Sequence, residues 1–319
     1  MHVYTGRCRF LTDQCYSLFS QADTLMKGIS EKMQVEYEEK TYESYFNNEL
    51  DKRSNIYFPF GQVQEGVIGL DSAAFSRYRG LWDMLSGHFG FFPPFPGANL
   101  KGIADEMEQF IGEVVRNIPD MKVNILFQYK RPEYIGSPLG KEWNIWKQYY
   151  FRYDLYCDQH DLLIHLEKSF GQQALILYAA PAVKTINTLV TLKKQGKIIE
   201  NSNFKKASEL NNHTRNTYIN AGTHSVACSE PKEIEDMNIL RLLESQQAKQ
   251  AIGNRDFILN TSRIAMEIMS RSNKYSTSFR DLIEEYDELS DHHLLYAFAV
   301  MKSFSELTGI QWLISIQSA

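Results

Sequence analysis

Gln128 and Lys130 stand two residues apart at the end of an apolar run, Lys122-Val123-Asn124-Ile125-Leu126-Phe127-Gln128-Tyr129-Lys130. On an extended chain, residues two apart point to the same side, so the amide and the amine should emerge together at a strand end. Upstream, the short apolar run Val67-Ile68-Gly69-Leu70 ends in an acid, Asp71. A carboxylate at one strand end, an amide oxygen on another strand and a lysine beside it form a compact set for phosphodiester hydrolysis. Oxygen donors suit Mg²⁺ (or Mn²⁺), which keeps several of its waters. The lysine can orient or help deprotonate an attacking water while the metal stabilises charge on the phosphate. Asp71 and Gln128 are therefore the candidate metal ligands, and Asp71, Gln128 and Lys130 the candidate catalytic residues.

Other side chains could join such a site. Glu49 lies on an acidic amphipathic helix and Glu65 in the stretch just before Asp71, and either could supply a further acid. His160, with Gln159 beside it, follows the start of a helix, where backbone N–H groups favour anions. Basic residues gather at Lys130 and Arg131, at Lys141, Lys147 and Arg152, and at Lys193, Lys194 and Lys197. If the first two groups line one cleft, they neutralise phosphates locally, and Arg131, Lys147, Arg152 and His160 become the candidate nucleic-acid contacts. A rival site is the polar region around His213 and His224. No nucleophile elbow, H-E-x-x-H, dinucleotide fingerprint or kinase motif set occurs.

The elements that must position these residues follow from periodicity. A helical pattern covers about 11–50, with Tyr42, Tyr45, Phe46 and Leu50 on one face. The segment 87–97 carries Pro93, Pro94, Pro96 and four phenylalanines and is expected as a loop that packs onto something. A helix over 103–115 leads into the Gln128 strand. Residues 143–156 are rich in aromatics and fit either a strand or a helix. Asp158 is placed to cap a helix running to about Ser169. The run Ala174-Leu175-Ile176-Leu177-Tyr178-Ala179-Ala180 is the most hydrophobic strand candidate. Strand, helix, strand in that order indicates an α/β unit with a buried central strand. A helix over 183–192 and an irregular polar region over 198–231 follow. Four helical segments, 233–251, 257–269, 279–289 and 292–307, then precede a terminal strand over 310–316. The expected organisation is an α/β core over 1–231 and a helical C-terminal region over 232–319.

Composition bounds the alternatives. The 319 residues are 43% hydrophobic and 23% charged, which is ordinary for a globular protein. A net charge of −5 argues against coating nucleic acid through bulk positive charge, though a local basic rim is compatible with it. Cys8, Cys15, Cys157 and Cys228 are scattered and fit reduced thiols. The N-terminus lacks a signal-peptide pattern and no stretch is apolar enough to span a membrane, so the expected location is cytoplasmic.

With Asp71 and Gln128-Tyr129-Lys130, the chain resembles the PD-(D/E)XK, or restriction-endonuclease-like, superfamily in a variant where Gln takes the place of the second acid. The resemblance covers about residues 36–181 and also rests on the order of acidic helix, Asp strand, Q-x-K strand, helix and buried strand. It implies a central mixed sheet flanked by helices, Mg²⁺ as cofactor and DNA as substrate, with RNA not excluded. The setting it implies is prokaryotic restriction or anti-phage defence, with a partner ATPase or sensor subunit and homo-oligomerisation both compatible. The alternative is a catalytically inactive protein of the same fold that binds nucleic acid or serves as an assembly subunit.

Overall fold

A computed structural model describes residues 33–59, 100–221, 224–227, 232–235, 237–246 and 252–318. Asp71, Glu65 and the Pro/Phe-rich segment lie outside these residues. In chain order the elements are β1 (Met33–Gln34), α1 (Glu39–Arg53), β2 (Ile56–Tyr57), α2 (Leu100–Asn117), β3 (Met121–Tyr129) and β4 (Glu133–Ile135). Next come α3 (Trp143–Trp146), β5 (Tyr150–Asp154), α4 (Cys157–Phe170), β6 (Ala174–Pro181), α5 (Ile186–Gln195) and β7 (Ser202–Lys206). The remainder is β8 (Arg215–Tyr218), β9 (His224–Ala227), β10 (Lys232–Glu235), α6 (Ile239–Ser245), α7 (Asn254–Arg271), α8 (Ser276–Glu284), α9 (His293–Thr308) and β11 (Gln311–Ile316).

Two sheets result, so the chain is α/β with a mixed five-stranded sheet flanked by helices. The mixed sheet has the order β2-β11-β3-β6-β7, with β3 and β6 parallel and the other neighbours antiparallel. The second sheet, β1-β4-β5-β8-β9-β10, is antiparallel throughout. Strand β11 lies between β2 and β3. Residues 232–319, expected as a helical extension, therefore supply a strand in the middle of the mixed sheet.

The centre of the fold is β3, buried on both faces. Its odd-numbered residues meet α1. That helix presents Tyr42, Phe46 and Leu50 at four-residue spacing, and all three are fully buried. The Phe46 ring lies edge-on to Phe127 at 5.3 Å and to Tyr129 at 5.6 Å. The buried Asn47 accepts from the Tyr129 hydroxyl at 2.6 Å and donates to Gln311 Oε1 at 2.7 Å. The even-numbered residues face α4 and α7. Asn124 donates to Thr261 Oγ1 at 2.9 Å and accepts from Trp312 Nε1 at 2.7 Å, so this buried amide is paired on both ends.

Several boundaries move. Residues 143–156 are both a short helix and a strand, with Lys147 at φ 53° closing α3. The region 198–231, expected to be irregular, contains β7, β8 and β9. Its strands read as polar because their buried side chains are hydrogen-bonded: Asn216 donates to Tyr153 Oη and Asn203 Oδ1, both at 3.1 Å. Where a helix was expected over 233–251, β10 and α6 stand instead. Phe46, with Tyr42 edge-on to Tyr129 at 5.8 Å, joins α1 to the mixed sheet. Phe46→Ala is expected to cost about 3–5 kcal/mol of unfolding free energy, read as a lower denaturant midpoint at unchanged slope.

Candidate functional site

Strand register places the polar pair. Gln128 lies opposite Tyr178 in the parallel β3–β6 ladder, and the Lys130 N–H extends that ladder by donating to the Ala179 carbonyl at 2.9 Å. Because Tyr129 turns toward α1, its two neighbours turn the other way, toward the first turn of α4. There Gln159 joins them: its Nε2 donates to Gln128 Oε1 at 2.6 Å and its Oε1 accepts from Lys130 Nζ at 2.9 Å. Gln159 Nε2 also donates to the Thr308 carbonyl at the end of α9, at 2.9 Å. The amide and the amine thus converge on one side chain. Gln128 is 4% exposed and Lys130 6%.

The lysine sits in an aromatic and acidic setting. Its Nζ is 5.1 Å from the Tyr156 ring centroid and 5.6 Å from that of Tyr178. Burial lowers its pKa from the ordinary 10.5 to about 8, against the opposing pull of the Glu39 and Asp154 carboxylates. Glu39 accepts the Arg131 backbone N–H at 3.2 Å, and its own pKa is raised mainly by burial. Near neutral pH the amine therefore exchanges between charged and neutral forms with a single proton. Such a group can hold an anion or accept a proton from water.

His160 lies beneath this cluster. A ring nitrogen is 2.9 Å from the Tyr178 hydroxyl, and burial lowers its pKa. His160, expected as a phosphate contact, is thus a buried hydrogen-bond partner of a tyrosine. Asp158 does not cap α4; the N-cap is Tyr156, with no side-chain bond.

Three more candidates lie elsewhere or are occupied. Glu49 faces the β7 side of α1: it pairs with Arg53 at 2.9 Å and accepts the Ile198 N–H at 2.6 Å and the Ile199 N–H at 3.4 Å. Its carboxylate anchors a chain turn and does not reach the Gln128–Lys130 cluster. Arg131 is held by Glu38 and by the Val35 carbonyl, both at 2.8 Å. Arg152, 4% exposed, is bound to Glu133 at 2.7 Å and Glu142 at 3.2 Å, so its guanidinium is spent inside the protein. A network continues from Glu142 through Arg215 to Asp154. Of the four expected nucleic-acid contacts, Lys147 alone is exposed. Asp71 and Glu65 lie outside the described residues.

Glu39, Tyr156 and Tyr178 were not legible as site residues. Glu39 is one acid among several on α1, and the two tyrosines merge into aromatic-rich runs. Their one signal is position, since Tyr156 and Tyr178 belong to the elements that flank the Q-x-K strand.

Among the described residues, no group of three or more His, Cys, Asp or Glu could hold a metal ion. The Gln128 oxygen is one suitable donor, already engaged by Gln159, so the described residues alone do not fit a Mg²⁺ shell. No family model matches the chain, and neither a curated protein nor a solved structure matches it.

A proton bound less tightly in the folded than in the unfolded state makes stability depend on pH. For Lys130 the folded pKa is the lower one, so stability is gained as pH rises from about 8 toward 10.5 and lost as pH falls through 8. Below that window the buried ammonium carries a burden on the order of 3 kcal/mol. Breaking the Gln159 hydrogen bond offsets about 1 kcal/mol of any relief. Lys130→Met is therefore expected to melt above the wild type at pH 7, and calorimetry should show the gap closing by pH 10.

Proposed function

We propose that the chain is a metal-dependent nuclease that hydrolyses DNA phosphodiester bonds at the Gln128–Lys130 strand end of a restriction-endonuclease-like core. The observation that carries this reading is the convergence of Gln128 and Lys130 on one buried face, with an amine that titrates near pH 8. The neutral amine takes a proton from the attacking water, and the charged amine then faces the developing phosphate charge. The Glu39 carboxylate, which raises the Lys130 pKa, helps retain that proton. Asp71 with Gln128 would hold Mg²⁺ or Mn²⁺, which supplies electrostatic stabilisation of the phosphate. Prokaryotic restriction or anti-phage defence, with a partner ATPase or sensor, belongs to the same proposal.

A second reading is favoured by one observation. Gln159 engages both Gln128 and Lys130 and closes the set against the Thr308 carbonyl. Closure of that kind suits a protein that keeps the nuclease fold and binds nucleic acid or a partner without cutting.

Supercoiled plasmid with Mg²⁺ or Mn²⁺ separates the two. The wild type is expected to nick or linearise it, and Asp71→Ala and Lys130→Met to lower the rate by about 10²-fold or more. The wild-type rate should climb with pH and level off near 8, as the amine loses its proton. Equal cutting by all three proteins would sink the nuclease proposal, and an intact plasmid with folded wild type would leave the non-cutting reading standing.

A further inference from the structure

The connection between β4 and β5, residues 136–149, concentrates exposed apolar surface. Of the five large hydrophobic side chains exposed among the described residues, three are here: Leu139 at 54%, Ile145 at 41% and Tyr149 at 48%. The segment is not loosely built. Trp146, Ile135, Tyr150 and Val226 form a small core beneath it, with Trp143 and Ile219 packed alongside, and the Trp146 indole donates to Thr217 Oγ1 at 3.1 Å. Its exposed apolar groups are thus held out by an ordered base.

Charge in the same segment is one-sided. Glu142, its single acid, is buried and neutralised by Arg152 and Arg215, with its pKa held below the usual carboxylate range by the hydrogen bonds and charge of those partners. Lys141 and Lys147 are exposed, and neither is ion-paired to another described residue. Beside them the Tyr149 ring stacks on Tyr134, with centroids 5.7 Å apart and planes 30° from parallel. Lys184 Nζ lies 4.4 Å from the Tyr134 centroid. The surface thus has a stacked aromatic pair with Lys184 against it, on a segment whose two exposed lysines have no acid partner among the described residues.

We propose that this connection is a docking surface for single-stranded DNA, with a base stacked on the outer face of Tyr149 and phosphates met by Lys141 and Lys147. It rests on the nucleic-acid part of the proposed function and not on cleavage. A ring clasped to Tyr134 is a rigid platform, which suits a planar base that every nucleotide can offer. Bases in a duplex are already stacked on each other, so the surface selects single strands. A lipid surface would use the exposed Leu139 and Ile145 more than a stacked ring pair, and the vesicle arm of the test separates that occupant from a single strand.

The test is fluorescence anisotropy with a labelled oligothymidylate, a matched duplex as competitor and anionic vesicles in a parallel co-sedimentation. The wild type is expected to bind the single strand, and Tyr149→Ala to weaken binding by about 5- to 100-fold, the range for losing one stacked base. Tyr149→Phe should retain affinity. Tyr149→Leu, which keeps an apolar filler in case the alanine variant unfolds, should lose it. Replacing Lys141 and Lys147 by Gln should reduce the slope of log affinity against log salt by about 0.7 per lysine. Binding is measured without a divalent metal, so a wild type that binds oligothymidylate but leaves plasmid intact tells the failure of the hydrolysis reading from the failure of this one. Wild-type affinity in Tyr149→Leu, equal affinity for duplex, or a Tyr149 dependence seen with vesicles and not with oligothymidylate would each overturn the proposal.

Discussion

A strand buried on both faces leaves no water for its side chains, so each polar group on it must find a protein partner. Strand β3 carries three such groups on its even face: Asn124, Gln128 and, just beyond the strand, Lys130. The surrounding architecture meets their demands in turn. Asn124 is served by Thr261 from α7 and Trp312 from β11. Gln128 and Lys130 are served by Gln159 from α4, itself tied to the last turn of α9. The elements that satisfy β3 come from residues up to 188 positions away. This explains why the C-terminal helices and β11 pack into the core rather than standing apart from it.

Satisfaction is unequal along the strand, and the inequality marks the candidate site. Asn124 is neutral, and its hydrogen bonds largely replace those it made to water. Lys130 brings a charge. One hydrogen bond, contacts with two tyrosine rings and attraction from two carboxylates do not offset its desolvation, so its pKa falls to about 8. An apolar residue would be the cheaper occupant of such a position, since removing a buried charge is often neutral or stabilising. A lysine kept there at a cost on the order of a few kcal/mol does not stabilise the fold through its charge.

What was legible in the sequence follows the same division. The α1 face of Tyr42, Phe46 and Leu50, the β3–α4–β6 unit and the helices α7 and α9 announced themselves through apolar periodicity, because they bury carbon. The Gln128–Lys130 pair was legible as a break in that periodicity. Strands β7, β8 and β9 were not, since Asn203, Asn216 and Thr217 are buried through hydrogen bonds that leave no apolar pattern. Gln159 could be placed at the start of α4, but a bond across 31 residues to Gln128 depends on helix entry angle, which composition does not encode. Glu49 looked like any acid on an amphipathic helix; its role became visible only with the Ile198 and Ile199 amides in place.

The basic residues show why counting charges misleads here. Arg152 and Arg215 belong to a partly buried ladder with Glu133, Glu142 and Asp154, in which the guanidinium fork suits several carboxylates at once. Arg131 is likewise engaged, by the exposed Glu38 and by a backbone carbonyl. The lysines at 141 and 147 stay outside this ladder, with long stems that gain nothing from a single buried geometry. Arg152 and Arg215 engage Glu133, Glu142 and Asp154, and among the described residues no acid pairs with the exposed lysines of the β4–β5 connection. A chain of net charge −5 can thus still expose lysines whose neighbouring acid, Glu142, is buried against arginines.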